Sequence, residues 1–253
     1  MTQAPRKGVD MISRGVKQRT MSGIATFVTL RLADPFIQYA LLYGPSRSVE
    51  DNSDFEPKER TSLITGRSIL LAMSVISMLK QNYHMLFVMQ EDMTPRAAAI
   101  IGAVNFLLNS MNSLLFLRKS RKHSIWLALG SKLVPVRVAL GSILFAVGIV
   151  FEWLSEVQRA AWKAKTENRG QVYARGLFSL SRHINYFGYT LWRSGYTLAG
   201  GGGLWSAIVA GFFVYDFNWR GIPILQRYMK EKYGEKSNWH KQVVPYKFVP
   251  FVW

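Results

Sequence analysis

The chain has 253 residues, a formal net charge of +17, 49% apolar residues and 13% aromatic residues. The basic residues lie between long apolar runs, a pattern typical of membrane proteins with basic loops and not of soluble nucleic-acid-binding proteins. Because the chain has no cysteine, a disulfide framework, a thiol nucleophile and a zinc–thiolate site are excluded.

Residues 1–22 form a basic N-terminal flank, with five basic residues against Asp10 in MTQAPRKGVDMISRGVKQRT. The stretch has no compact apolar core followed by a small-residue cleavage site, so it does not resemble a secretory signal. A cytosolic flank of a first membrane helix is the favoured interpretation. A mitochondrial transit peptide, which is also rich in arginine and poor in acids, is the alternative.

Five apolar segments are candidates for membrane helices, since about 20 residues of helix are needed to cross the hydrocarbon core. In chain order they are 23–43, 68–79 with a continuation to about residue 90, 97–117, 138–157 and 186–217. The segment 97–117 is uncharged, whereas 23–43 is broken by charged residues and a proline. The last segment is interrupted by Arg193 and by four glycines at 200–203, which predicts a tight helical hairpin of two short spans.

The predicted fold is therefore all-α. It is a multi-pass integral membrane bundle of about five or six helices without β-sheet, and it ends in a short cytosolic helix near Gly234 and an aromatic tail. The distribution of charge places the acidic stretch 44–62 on the non-cytosolic side and the basic stretches 158–182 and 218–247 in the cytosol. The side of the basic stretch 118–123 is left open, because simple alternation of the helices conflicts with its charge.

The most concentrated set of polar groups is RHINY at 182–186, where a basic loop enters an apolar segment. Arg182 can bind phosphate or carboxylate through two parallel hydrogen bonds, and Asn185 and Tyr186 can orient an amide or a ribose. The alternative is an ordinary helix flank, with Arg182 and His183 facing lipid headgroups and Tyr186 in the interfacial aromatic belt.

Charged groups upstream of this motif form a second candidate set. Arg159 and Lys163 are four residues apart, so a helix places both on one face, where they can hold a polyphosphate or extend to the membrane surface. Glu152 lies inside an apolar run, and an acid at membrane depth is either a functional group or, here, a structural partner for Arg193. The four histidines show no metal-ligand spacing, so no metal site is predicted.

The segments of the C-terminal half follow a characteristic order. A Glu-ended helix with Gln158 and two basic residues is followed by GLFSLSRHINYFG, a hairpin, a basic helix ending in KYG and the terminal VPYKFVPFVW. This order resembles the C-terminal half of the steroid 5-alpha-reductase and sterol-reductase superfamily, which also contains the isoprenylcysteine carboxyl methyltransferases. Its motifs run like D-x-Q-K, G-L-W-x-x-x-R-H-P-N-Y-x-G-[DE] and K-Y-G…W…V-P-Y-x-x-x-P. The resemblance divides the chain into the flank 1–22, membrane helices without a motif over 23–144, and a reductase-like membrane domain over 145–253.

In the sterol reductases NADPH occupies a polar pocket between membrane helices, open to the cytosol, and the resemblance implies such a pocket here. The residues that it places around the cofactor are Arg159, Lys163, Tyr173, Phe178, Arg182, His183, Asn185, Tyr186, Met229, Lys232, Tyr233 and His240. Reduction of a carbon–carbon double bond requires a hydride and a positioned acid. The candidates for the acid are Tyr186, Tyr246 and Glu152.

The chain departs from the superfamily motifs at three points. Ile184 replaces the proline, Tyr189 replaces the acid after N-Y-x-G, and Leu225 and Gln226 stand where a second acid is expected. The missing acids indicate a different substrate, a proton supplied from elsewhere, or a protein that keeps the fold without the reaction.

Three functions are therefore weighed. The first is NADPH-dependent reduction of a double bond in a sterol or polyprenoid lipid by an enzyme of the endoplasmic reticulum, with a mitochondrial membrane as the alternative location. The second is methyl transfer from S-adenosylmethionine to a lipid or isoprenylcysteine-type acceptor, although the Glu-Glu pair common in those methyltransferases is absent. The third is a non-catalytic membrane protein. The expected partners are the bilayer and a lipid substrate, not nucleic acid, and the oligomeric state is left open.

Overall fold

The computed structural model describes residues 12, 15, 18–44, 57–119, 126–129 and 132–253. Four short helical turns, His84–Val88, Thr166–Asn168, Gly176–Ser179 and Phe217–Gly221, link the main helices of the described chain. The main helices are α1 Met21–Tyr43, α2 Pro57–Tyr83, α3 Pro95–Lys119, α4 Val136–Ala164, α5 Ile184–Asp216, α6 Ile222–Tyr233 and α7 Lys236–Val243. The described chain is thus nearly all-α, as predicted.

Four helical segments of the described chain are long and apolar enough to cross a membrane: Arg60–Val88, Pro95–Arg118, Val136–Ala164 and Ile184–Tyr233. They confirm the predicted helical membrane bundle, and the first of them extends the apolar run at 68–79 to Val88. The prediction of five or six helices also counted α1 and both halves of α5. In α1 the charged Arg31 and Asp34 are fully buried, since they face α2 and α3.

The predicted hairpin within α5 is present, and it bends at the glycine run. Gly202 adopts φ 78° and ψ −175°, a conformation that glycine tolerates and other residues rarely adopt. The rings of Tyr186 and Phe217 then stack with centroids 4.5 Å apart. Because an unbroken helix would separate these two residues by about 46 Å, the second half of α5 must fold back along the first.

α4 and the first half of α5 pack backbone to backbone through glycines. A Cβ atom at Gly148 would lie 2.2 Å from the Trp192 nitrogen, and one at Gly195 would lie 2.4 Å from the Phe145 nitrogen. Close approach through small residues is typical of helix pairs in membranes. This interface fixes the distance between the two helices that carry Glu152, Arg159 and Lys163 on one side and Asn185 and Tyr186 on the other. The predicted domain boundary between residues 144 and 145 lies inside α4.

A small β-hairpin departs from the prediction of no β-sheet. Trp126–Leu129 (β1) pairs antiparallel with Lys132–Pro135 (β2), with Trp126 opposite Pro135 and Leu129 opposite Lys132. The two apolar runs are too short for a helix and are separated by Gly130 and Ser131, a sequence that favours a tight hairpin. Most of the loop 44–62 and of the basic stretch 118–123 lies outside the described residues, so their predicted sides stay predictions.

The C-terminal tail packs against the start of α5. The backbone nitrogens of Arg182 and His183 donate to the carbonyl oxygens of Tyr246 (2.9 Å) and Lys247 (3.2 Å), and the Ser181 hydroxyl donates to the Phe248 carbonyl at 2.9 Å. α6 ends at Tyr233 and is followed by Gly234, whose φ is 54°, so the helix ends near Gly234 as predicted. The aromatic tail is therefore part of the wall behind the RHINY motif.

Candidate functional site

A cavity of about 810 Å³ lies between α3, α4, both halves of α5, α6 and α7. It brings together every residue that the resemblance places around a cofactor, together with Glu152. These lining residues are Glu152, Arg159, Lys163, Tyr173, Phe178, Arg182, His183, Asn185, Tyr186, Met229, Lys232, Tyr233 and His240. Residues predicted from separate motifs thus share one concave site of the size that small-molecule ligands occupy.

The wall formed by α4 sets the depth of this cavity. Glu152, Glu156, Arg159 and Lys163 follow one another at intervals of four, three and four residues, so they share one helix face. At 1.5 Å per residue, Glu152 and Lys163 are about 16 Å apart along the axis. Lys163 is exposed and Glu156 is buried. The face therefore runs from a charged mouth into the bundle.

Apolar side chains line a second part of the cavity. Ile100, Ile101 and Val104 come from α3, and Phe212 and Phe213 come from the second half of α5. The sequence analysis did not predict these residues as part of a site, because they lie in uniformly hydrophobic segments without a motif. The cavity thus combines a polar part, suited to a charged cofactor, with an apolar part, suited to an apolar substrate.

Glu156 is a polar residue at this site that the sequence analysis missed. Its side chain is 5% exposed and forms an ion pair with Arg159, and the Asn185 side-chain nitrogen donates to its other oxygen at 2.7 Å. The pair with Asn185 ties α4 to the RHINY motif on α5. The spacing could have identified Glu156, since it lies four residues after Glu152 and three before Arg159.

Glu152 has structural partners from two other parts of the bundle. It forms an ion pair with Lys80 of α2, and the Trp192 indole nitrogen donates to its second oxygen at 2.5 Å. The alternative that Glu152 pairs with Arg193 is wrong, because Arg193 instead donates to the side-chain oxygens of Asn105 and Asn109. Both oxygens of Glu152 are therefore engaged, although the residue lines the cavity.

Arg182 holds the C-terminal tail with the same guanidinium that was predicted to bind phosphate. One terminal nitrogen donates to the carbonyl oxygens of Val244 (2.7 Å) and Pro245 (2.9 Å). Partial burial lowers the pKa of Arg182 from its usual value. Arg182 therefore holds the RHINY motif and the C-terminal tail against each other, which explains why the two segments occur together.

Two buried imidazoles lie in the cavity wall next to Arg182. His183 is 5% exposed and His240 is 7% exposed. Within the described structure, both side-chain nitrogens of His183 lack a hydrogen-bond partner. The Nε2 atom of His240 lacks one as well. Burial, together with the nearby Arg182 charge, lowers the pKa of His183 to about 3 and that of His240 to about 4. Both imidazoles are therefore neutral at physiological pH and can accept a hydrogen bond from a ligand.

Aromatic rings line the rest of the polar part of the cavity. Tyr173 packs against Phe178 with centroids 5.8 Å apart, and the Arg159 guanidinium lies 5.3 Å from the Phe178 ring. Burial raises the pKa of the Tyr173 hydroxyl. Tyr186 lies between the rings of His183 (5.7 Å) and Phe217 (4.5 Å). The faces of Tyr186 are thus occupied, whereas Tyr173 and Phe178 can pack against a flat heterocycle such as a nucleotide base.

α6 contributes the cationic rim of the mouth. Lys163 lies 3.4 Å from the Tyr233 hydroxyl, and Lys232 donates to the Tyr228 hydroxyl at 2.7 Å. Among the residues that the structure describes, neither lysine forms an ion pair with a carboxylate. Met229 lies on the same wall. The rim can therefore receive an anionic group of a ligand.

Tyr246 is the predicted site residue that does not line the cavity. Its ring packs against Phe251 with centroids 5.6 Å apart, because its backbone is fixed by Arg182. Tyr189, Leu225 and Gln226, which replace the expected acids, do line the cavity.

No group of three or more metal-binding side chains occurs within the described part of the chain.

Comparison with known proteins gives two matches. Residues 100–243 match the family described as "Protein of unknown function (DUF1295)". The chain is also 32% identical over 261 residues to a protein named "Probable O-methyltransferase ustE" from Ustilaginoidea virens, with 95% of this chain and 92% of that protein covered. The family match runs from α3 to the last residue of α7 and includes the whole cavity wall contributed by α4, α5, α6 and α7.

Proposed function

Since this chain belongs to the DUF1295 family and is similar along nearly its whole length to a protein named a probable O-methyltransferase, we propose that it is an integral membrane methyltransferase. The proposed reaction moves a methyl group from S-adenosylmethionine to an oxygen atom of an apolar substrate. The observation that carries this proposal is the single cavity in which a polar part, around Glu156 and Asn185, adjoins an apolar part around Ile101 and Phe213.

The side chains of the polar part fit an adenosine cofactor. His183 and His240 offer buried nitrogens without a protein partner, and such groups are normally satisfied by a bound partner. Asn185 and Glu156 would hold ribose hydroxyls or the amino group of the methionine moiety, and Tyr173 and Phe178 would pack against the adenine ring. The lysine rim would receive the single carboxylate of this cofactor.

When bound, S-adenosylmethionine supplies an electrophilic methyl carbon on a positively charged sulfur. Methyl transfer would form the oxygen–methyl bond as the methyl–sulfur bond breaks, would leave the electron pair of the broken bond on sulfur, and would release the hydroxyl proton of the substrate to water at the mouth. The role of the chain is to hold the oxygen and the methyl donor in line, because such positioning supplies in advance much of the entropy that the transfer would otherwise lose.

NADPH-dependent reduction of a sterol or polyprenoid double bond is the second candidate. The two rim lysines, Lys163 and Lys232, favour it, because NADPH has three phosphates and lysines without carboxylate partners suit phosphate binding. The ordered motifs that resemble the steroid and sterol reductases favour it as well. Against it stands Tyr189, which replaces the acid of those motifs. For both candidates we propose the endoplasmic reticulum membrane as the location.

A double-label assay separates the two candidates. Membranes containing the full chain would be incubated with a lipid extract and either S-adenosylmethionine labelled in its methyl group or NADPH labelled at the transferred hydride. We expect methyl label in the organic phase, and loss of this label in the Asn185→Ala variant but not in the Asn238→Ala variant. Hydride label alone would establish the reductase. Absence of both labels would leave only the non-catalytic protein.

A further inference from the structure

A buried polar network lies inside the membrane bundle, next to the apolar part of the cavity. Its members come from α1, α2, α3 and α5 and are at most 8% exposed, apart from the partly buried Tyr189 and Ser110. They are Arg31, Asp34, Gln38, Ser74, Ser77, Gln81, Asn105, Asn109, Ser110, Ser113, Tyr189 and Arg193. Polar groups at membrane depth are costly and usually functional.

The charges of this network do not balance. Asp34 is the carboxylate, and it is fully engaged: Arg31 donates to it at 3.0 Å, Asn109 at 2.6 Å and Gln38 at 3.0 Å. Arg193 is 0% exposed and forms no ion pair with any carboxylate among the described residues. It donates instead to the neutral amide oxygens of Asn105 and Asn109. One positive charge is therefore buried without a carboxylate partner, which is unfavourable unless an anion joins it.

Tyr189 connects this charge to the cavity. The Arg193 guanidinium lies 3.4 Å from the Tyr189 hydroxyl oxygen, and Tyr189 lines the cavity whereas Arg193 does not. Because arginine only donates hydrogen bonds, the Tyr189 oxygen must accept this one. The Tyr189 hydroxyl proton then remains available to a partner in the cavity.

The ring that carries this hydroxyl is held in place by its neighbours. The Tyr189 ring makes edge-on contacts with the rings of Trp192 (5.0 Å), Phe213 (5.0 Å) and Phe217 (5.6 Å). The Arg193 guanidinium lies 4.2 Å from the Trp192 ring. Asn105, the other wall residue of the network, has its side-chain nitrogen committed to the Ile101 carbonyl at 2.8 Å. A donor held in this way is preorganised for a negative charge.

We infer that the Tyr189 hydroxyl, with Arg193 as the positioning residue behind it, binds the reactive oxygen of the substrate in its anionic form. This inference rests on the proposed function for the reaction but names the substrate class: a molecule with an acidic hydroxyl group, such as a phenol or an enol, on an apolar body. Tyr189 donates its proton in a hydrogen bond to that oxygen, and Arg193 compensates the negative charge. The substrate proton leaves to water before the methyl group moves.

The residue that departs from the superfamily motif thereby receives a role. A carboxylate at position 189 would repel an oxyanion, whereas a phenol hydroxyl backed by a guanidinium attracts it. Without Arg193 the hydroxyl would be an ordinary neutral donor. Without Tyr189 the charge of Arg193 would reach the cavity wall only through Asn105, whose side-chain nitrogen already donates to the Ile101 carbonyl.

A coloured phenol tests the inference without any cofactor or turnover. 4-Nitrophenol would be titrated with pH in the presence of the purified full chain, and its ionised fraction read from the visible spectrum. We expect binding to lower the apparent pKa of the bound probe, because the site prefers the phenolate. Tyr189→Phe keeps the ring contacts and removes only the hydroxyl, so phenolate affinity should fall about tenfold, the effect of one hydrogen bond to a charged group. Tyr215→Phe, on the same helix but outside the cavity lining, should match the unmodified chain.

The outcomes separate this inference from the proposed function. A preference for neutral phenol, or equal phenolate affinity in the Tyr189→Phe variant, would overturn the oxyanion site even if methyl transfer occurs. A phenolate preference that depends on Tyr189, in a chain that neither binds nor uses S-adenosylmethionine, would retain the oxyanion site and reject the methyltransferase. If methyl transfer occurs, Tyr189→Phe should lower kcat at least tenfold while the cofactor Kd stays unchanged.

Discussion

The Asn185 side chain on α5 donates a hydrogen bond of 2.7 Å to the buried carboxylate of Glu156 on α4. This contact joins the RHINY motif to the charged face of α4 in the wall of one cavity. Asn185→Ala would leave the carboxylate with Arg159 alone, so we expect a loss of about 1–3 kcal/mol in the free energy of unfolding and weaker cofactor binding.

Chemical denaturation of the detergent-purified chain would measure that loss. Asn238→Ala is the matched control, since Asn238 donates to Glu235 at 3.1 Å on the exposed surface, where such a contact contributes little. Equal stability of the two variants would show that the Asn185–Glu156 contact does not hold the site together.

The glycine interface between α4 and α5 gives a second prediction. Gly148→Val would place a side chain on the backbone of α5, where even a Cβ atom would lie 2.2 Å from the Trp192 nitrogen. Overpacking of this kind costs about 1–3 kcal/mol or more, so the variant should be expressed at a reduced level or unfold at a lower temperature. A Cβ atom at Gly211 would meet nothing within 4 Å apart from the neighbouring backbone of its own helix, so Gly211→Val should behave as the unmodified chain. Similar thermal unfolding curves for both variants would contradict the close packing.

The rim lysines give a prediction that depends on the cofactor. Lys232→Ala removes a cation from the mouth of the cavity, whereas Lys230→Ala removes an exposed lysine of the same helix that does not line the cavity. If a phosphate-bearing cofactor binds, Lys232→Ala should weaken it about tenfold. S-adenosylmethionine, with one carboxylate, should be affected less. Equal effects of the two substitutions on every cofactor would show that the rim does not contact the ligand.

The buried imidazoles predict how stability depends on pH. Since the pKa of His183 is about 3 in the folded chain, against an ordinary value of 6.5, the unfolded chain binds more protons between these two pH values. Stability is therefore unaffected by His183 above pH 6.5 and falls as the pH drops below it. The groups that hold the pKa down besides burial are Arg182, His240, Lys247 and Arg159. Thermal unfolding at pH 7.5 and pH 5 should show a smaller difference in a His183→Gln variant, and an unchanged difference would refute the account.

Hydropathy and ordered motifs predicted much of the fold. The hairpin in α5 follows from four successive glycines, and the helical end at Gly234 follows from the KYG motif. The side-chain contacts between different helices could not be predicted from hydropathy or motifs. Glu156 pairs with Asn185 because of the rotation of α4 against α5, which the Gly148 contact sets, and a single sequence does not reveal that rotation.

The contacts of the buried polar network could not be predicted from the sequence either. Asn105 and Asn109 lie four residues apart in an uncharged apolar segment, and their spacing alone fits an ordinary helix. Only the packing of α3 against α5 shows that both serve Arg193. The role of Arg182 was likewise open, because the sequence cannot show that the carbonyl oxygens of the tail occupy its guanidinium.

The most direct test of the central claim is a binding titration of the purified chain with S-adenosylmethionine, NADPH and NADH in parallel. The account predicts saturable binding of S-adenosylmethionine that weakens in the Asn185→Ala variant and is unchanged in Asn238→Ala. Tight NADPH binding that depends on Lys163 and Lys232 would replace methyl transfer by reduction. If none of the three cofactors binds to a folded chain, the claim that this cavity is a cofactor site is contradicted.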